Sequence, residues 1–366
     1  MPCATRWSGS ARPGPAPSRR ARPPDRHRPG RHGVMNRIKL LVRVLGLLGL
    51  ALFIVLIVRQ GVGELAASLA AAGFGLLALA GWHVLTMSCD GLALRQLMKP
   101  ETRISAGTAI WTRWLQESVN NLLPVMQIGG NLVKVRALMR RGISTDLAGA
   151  SVVIDVTLTV STQILFTLLG LMLLLWHLGS GDIAGSVLAG AAVMSLAIAG
   201  FYQVQKRGLF SMLTGLLNRI AKRPDWQALA GGAQAMDEMI ASLYRHRRAL
   251  YQSAALHLLA WFVGIGEVWL ALYFLGTPVG LVEAALLESL GRALRTAAFA
   301  IPGAVGVQEG GFIVFGALLG LPAGAALSLS LAKRVRELLL GLPGLLAWQI
   351  ESQRAALSQL REGAGQ

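Results

Sequence analysis

Arg113, Glu117, Asn120 and Asn121 fall at i, i+4, i+7 and i+8 in an otherwise apolar stretch, so on a helix they form one polar stripe. Glu288, Arg292 and Arg295 repeat the pattern in a second such stretch. Asn131, Asp155, Glu309, Lys333 and Arg336 place further polar groups in apolar surroundings, where such residues are costly and are by default functional candidates. Guanidinium forks suit a phosphate-bearing head group. Carboxylates in a low-dielectric cavity suit acid or base work, which makes Asp155, Glu117 and Glu309 candidates for modifying such a group. The plainer reading pairs Arg113 with Glu117, and Lys333 with Glu337, as ion pairs that lock helices. Glu267, alone in its apolar run with His257 upstream, is either a cavity wall or half of an interhelical hydrogen bond.

The elements that must carry these groups are membrane helices. Hydrophobic residues make up 54% of the chain and charged ones 14%, against about 25% charged in an ordinary soluble domain. Apolar runs near the roughly 20 residues needed to cross a bilayer lie at 40–58, 74–89, 147–176, 183–204, 250–275 and 323–348. Two more, 104–123 and 281–301, carry the polar stripes and lead into segments broken by Pro and Gly around Pro124 and Pro302.

Those broken segments correspond in one ungapped register. Pro124 matches Pro302, Asn131 matches Glu309, Gly142 matches Gly320, and Asp155 falls opposite Lys333. Paired breaks of this kind in the two halves of a membrane protein point to a transport site at the repeat interface. Lys and Arg cluster before the first run, after the second, before the third and in the loop 206–248, which assigns those regions and both termini to the cytoplasm; 59–73, 177–182 and 276–280 are base-poor and face outward. The signs then require 104–142 to enter and leave on the cytoplasmic side and 281–322 on the outer side. The expected fold is therefore all-α: a polytopic transmembrane bundle with two inverted repeats, about 74–176 and 250–348, each holding a re-entrant helix pair. Such broken backbone must line protein or a water-filled cavity.

Around this single membrane domain (35–353), residues 1–34 read as a disordered Arg/Pro-rich tail, with Met35 a candidate start of translation, and 354–366 as a short cytoplasmic tail. Within the loop 206–248, Trp226, Leu229, Met236, Met239, Ile240 and Leu243 form one face of an expected interfacial helix. The formal charge of +17 is spread over loops and tail and sets orientation, so nucleic acid is not an expected partner. The six His and two Cys show no metal-binding spacing, and there is no phosphate-binding Gly-Lys-Ser/Thr loop, so no metal, cofactor or nucleotide is expected. Gly129, Gly130, Gly303, Gly306, Gly310 and Gly311 read as close-packing and turn positions, beside half-helix N-termini able to receive an anion.

The stretch E-S-V-N-N-L-L-P (117–124) with Gly129-Gly130, then L-M-R-R-G (138–142), P-G-A-V-G-V-Q-E-G (302–310) and L-G-L-P (319–322), resembles the flippase-like membrane domain of lysylphosphatidylglycerol synthases. The resemblance covers about 35–353; length and the Trp-rich 104–123 segment are similar to a stand-alone branch associated with hopanoid biosynthesis. Asn131 stands where the family pattern usually has Glu. No aminoacyl-transfer domain follows the last run, so synthase activity is not expected here. The resemblance implies a protein of the bacterial inner membrane, not an enzyme, that moves a lipid or lipid-linked molecule between leaflets, with membrane lipids and lipid-biosynthesis enzymes as partners. The alternatives are a head-group-modifying enzyme and an inert scaffold of a lipid-biosynthesis complex.

Overall fold

A computed structural model describes residues 62–123, 129–178, 226–298 and 304–364, with Val55, Val58 and Ile301. The tail 1–34, the run 183–204, the segment 206–225, most of the run 40–58, and Pro124 and Pro302 themselves lie outside the described residues. All regular structure among those described is helical: α1 Val62–Ala72, α2 Gly75–Met98, α3 Ala106–Leu122, α4 Gly129–Met139, α5 Thr145–Leu178, α6 Trp226–Arg245, α7 Arg247–Phe274, α8 Leu281–Ala297, α9 Val307–Leu318 and α10 Ala323–Ala364. Three of them, α2, α5 (through Trp176) and α7, are long and apolar enough to cross a membrane.

The order long helix, 17-residue helix, short helix, long helix occurs twice, as α2–α5 and α7–α10. α2 and α7 pair antiparallel, since positions rise along one as they fall along the other: Gly75 lies against Phe274, His83 bonds Glu267, and Asp90 bonds His257. α3 packs on α10 of the other set, with the Trp114 indole donating to Leu340 O and Ser118 filling the space beside Gly344. Reciprocally α8 packs on α5, where Gln163 donates to Thr296 Oγ1 and Gly170 admits Ser289.

Apolar side chains close the bundle at both ends. One core joins Leu94, Leu97 and Met98 of α2 to Ala148, Val152 and Ile154 of α5 and to Ile240 and Leu243 of α6. The other joins Leu79 to Val268 and Leu272 of α7, Leu287 of α8, Phe312 of α9 and Leu329 of α10. At the first end the connections or the helix ends beside them carry bases, Lys99 and Arg103, Arg140 and Arg141, Arg245 and Arg247; the connections at the second, 73–74, 275–280 and 319–322, carry none.

One expectation is corrected, and two segments gain structure. The face Met236, Met239, Ile240 and Leu243 of α6 is packed into the first core, with Met236 against Gly149 of α5, so that side of the amphipathic helix faces protein rather than lipid head groups. The outward loop 59–73 contains the helix α1. The tail from residue 354 is largely helical, because α10 runs on to Ala364; polar residues ended the apolar run but not the helix.

Candidate functional site

Between the two cores lies a continuous chain of ionic contacts. It begins on α4, where Lys134 Nζ sits 2.6 Å from Asp155 Oδ2 of α5. Asp155 Oδ1 is 3.2 Å from His257 Nε2 of α7, and His257 Nδ1 is 2.8 Å from Asp90 Oδ1 of α2. Asp90 Oδ2 meets Arg113 of α3 at 2.7 Å, and Arg113 reaches Glu117 at 3.6 Å. Glu117 meets His83 Nε2 at 2.7 Å, and His83 Nδ1 meets Glu267 Oε2 of α7 at 2.6 Å. From Glu267 the chain passes to Arg336 (2.7 Å) and Lys333 (3.8 Å) of α10, then to Glu288 of α8 (2.6 Å from Lys333) and Arg292. A branch from Arg336 joins Glu337, Arg295, Arg334 and Glu309.

Burying so many charges is tolerable only because each meets an opposite charge or a hydrogen-bonding group. Asp90, Glu117, Asp155, Glu267, Glu288, Glu309 and Glu337 are equal in number to Arg113, Lys134, Arg292, Arg295, Lys333, Arg334 and Arg336. The net charge of the network therefore follows the protonation of His83 and His257. Among the described residues, each of its Lys/Arg–carboxylate bridges lies within one set, α2–α5 or α7–α10. Within the network the contacts between the sets are made by the two histidines, assisted by Arg336 on His83 and Arg295 on Asn121; outside it, Arg140 and Arg141, just past the end of α4, meet Glu351 of α10 at 3.8 and 3.2 Å.

A cavity of about 160 Å³ opens in the middle of this network. It receives Arg113, Glu117, Asn120 and Asn121 from α3, Arg292 and Arg295 from α8, and Lys333 and Arg336 from α10, so the two polar stripes read from the sequence face one space. Thr159 and Gln163 of α5, Trp261 of α7, Glu288 and Thr296 of α8, Gln308 and Glu337 complete its polar lining. Bases outnumber carboxylates on the wall. Arg292 lies over the Trp261 ring at 5.4 Å, a cation–π contact that fixes its direction. Arg113 Nε and Arg336 Nε are buried without a hydrogen-bond partner, although both residues line the cavity.

Three predicted site residues lie behind the wall instead. Asn131 accepts from Gln116 Nε2 at 2.6 Å. Asp155 is held by Lys134 and His257. Glu309, at the third position of α9, accepts from the Gly306 N–H at 2.6 Å and from Ser330 and Arg334, so its carboxylate secures the start of its own helix. Gly306, at φ +81°, adopts the left-handed conformation that glycine takes at least cost. The N-terminus of α4 is similarly engaged, for the Gly130 N–H donates to Asn120 Oδ1 at 2.9 Å. The Lys333–Glu337 pair of the plainer reading does not form; each residue turns to another helix, Lys333 to Glu288 and Glu337 to Arg295.

Sequence reasoning passed over His83, Asp90 and Lys134. His83 and Asp90 lie seven positions apart in an apolar run, a spacing that puts both on one helix face. Lys134 read as a loop base, yet it is buried on α4.

A family model described as the lysylphosphatidylglycerol synthase TM region matches residues 43–344. The chain belongs to this family. No curated protein and no solved structure matches it. The match covers every residue of the ionic network and of the cavity lining, which makes these features of a lysylphosphatidylglycerol synthase membrane region and places the chain among membrane proteins of lipid metabolism.

Proposed function

We propose that this chain moves an anionic lipid between the leaflets of a bacterial inner membrane, with the polar cavity as its head-group site. One observation carries the reading: a base-rich cavity, walled by α3 and α5 of one half and α7, α8, α9 and α10 of the other, lies within a bundle that holds three helices long and apolar enough to cross a membrane. Phosphate is the chemistry that its guanidinium groups suit best.

Opposed repeats are part of the same proposal. The lengths of α3, α4, α8 and α9, 11 to 17 residues, are short of the roughly 20 needed to span, and α2 pairs antiparallel with α7, its counterpart in the other half. The base-rich end is then cytoplasmic, with both termini inside. The two halves, each internally ion-paired, rock against one another about the His83 and His257 contacts, exposing the cavity to either leaflet in turn. No catalytic role is assigned, because Glu117, Asp155 and Glu309 each face a cation or a protonatable histidine. Enzymes of lipid biosynthesis, including hopanoid synthesis, are partners on the family resemblance alone.

Reconstitution with a head-group-labelled phosphatidylglycerol tests the proposal. The protein should accelerate leaflet exchange, and Arg295→Ala should slow it by roughly tenfold to a hundredfold, the worth of a charged hydrogen bond of about 1.5–3 kcal/mol. Arg295→Lys should recover it only in part, since a point charge cannot reproduce the fork. Exchange no faster than in empty vesicles sinks the reading.

A further inference from the structure

Beside the cavity lies a second, apolar space of about 660 Å³, walled by Phe166, Leu169 and Met172 of α5, Phe262 of α7, and Ala285 and Ser289 of α8. Three of the helices lining the cavity continue directly into it. On α5 the cavity residue Gln163 is followed one turn later by Phe166; on α7 Trp261 adjoins Phe262; on α8 Glu288 adjoins Ser289. The partition is an aromatic stack. Trp261 carries Arg292 over its ring at 5.4 Å and stacks on Phe166 with centroids 6.3 Å apart. A base-rich compartment and an apolar one thus share a wall of two rings.

We propose that the groove holds one acyl chain of the same anionic phospholipid whose head group occupies the cavity. The inference rests on the transport reading and adds to it how the lipid is gripped. Lipid tails are as apolar as the groove itself, so hydrophobicity gives a chain no preference for this place over the surrounding bilayer. Preference must come from the tethered head group, held by Arg292 and its neighbours. An apolar segment of the sequence, such as 183–204, would fill the groove but make no use of the base-rich wall of the cavity. A two-part amphiphile answers both.

The test uses the full chain in phosphatidylcholine vesicles containing a minor fraction of phosphatidylglycerol, with a photo-crosslinking residue (benzoylphenylalanine) in place of Met172. A second protein carries it in place of Leu346, which is exposed on α10 away from the groove. Adducts are identified by mass spectrometry. At Met172 phosphatidylglycerol should exceed its membrane fraction by at least about fivefold, while Leu346 should report the bulk ratio. Arg292→Ala with Arg295→Ala should return Met172 to the bulk ratio; should that protein fail to accumulate, the comparison of the two sites in the otherwise native chain decides alone. Bulk-ratio adducts at Met172, or crosslinks to residues 183–204 in place of lipid, overturn the proposal. Leaflet exchange measured on the same vesicles separates the two readings. Exchange with bulk-ratio adducts removes the groove and keeps transport; enrichment without exchange keeps the site and removes transport.

Discussion

Glu309→Gln keeps an acceptor for the Gly306 N–H but withdraws the charge that Arg334 faces. The expected outcome is lower protein abundance, from a loss of about 1–3 kcal/mol, with normal leaflet exchange per folded molecule; immunoblots beside the vesicle assay check both. Arg113→Ala is harsher, because it strips Asp90 of its nearest base deep in the bundle, and about 3–5 kcal/mol is typical for a broken buried pair. The charge swap Arg113→Glu with Glu117→Arg should not restore abundance, since the new carboxylate would confront Asp90. Restored abundance in the swapped protein would mean that the helix-local pair dominates. Much of the cavity was legible in the chain because α3 and α8 write their polar stripes at helical spacing. What periodicity does not encode is the partner across the bundle. Asp155 and Glu309 look alike as lone acids in apolar runs, and only the fold shows that both are already engaged behind the wall.

At the scale of helices, close approach makes two glycines unequal. A Cβ on Gly130 would meet the Gln116 carbonyl oxygen at 2.3 Å and Asn120 Oδ1 at 2.6 Å, so Gly130→Ala must push α4 away from α3 and disturb the Asn120 lining of the cavity. Gly310 of α9 has nothing within 4 Å of the same position. Gly310→Ala should be neutral or stabilising by up to about 1 kcal/mol, while Gly130→Ala should lower the thermal midpoint of the detergent-solubilised protein. Equal midpoints for the two variants would contradict the packing of α4 on α3. Helix existence was readable from hydrophobic runs, and α2, α5, α7 and α8 start within a few residues of the expected places. The partner of α6 was not readable, because an amphipathic pattern states that a face is apolar without stating whether protein or lipid covers it.

For the molecule as a whole, the opposed-repeat proposal places the α4–α5 connection and the α9–α10 connection on different sides of the membrane. Single cysteines Ser144→Cys and Pro322→Cys, both at exposed positions, in a background lacking Cys3 and Cys89, should react with impermeant reagent from the cytoplasmic and the outer side respectively. Reaction of both from one side would end that proposal. The asymmetry of Lys and Arg that predicts these sides was visible in the sequence; the pairing of α2 with α7 was not, since no local pattern records which helices meet. That pairing has a bearing on how the protein is made. The first half enters the membrane with Asp90, Glu117 and Asp155 against Arg113 and Lys134, one carboxylate in surplus, and the second brings one more base than acid to the buried network. Until synthesis is complete, the newborn half holds three carboxylates against two permanent cations, with His83 on Glu117 as its remaining partner and the His257 contacts of Asp90 and Asp155 still missing, a condition that favours removal by membrane quality control. Fragments 1–205 and 206–366 should therefore each be degraded rapidly when expressed alone and persist when expressed together, a difference that pulse-chase half-lives would show.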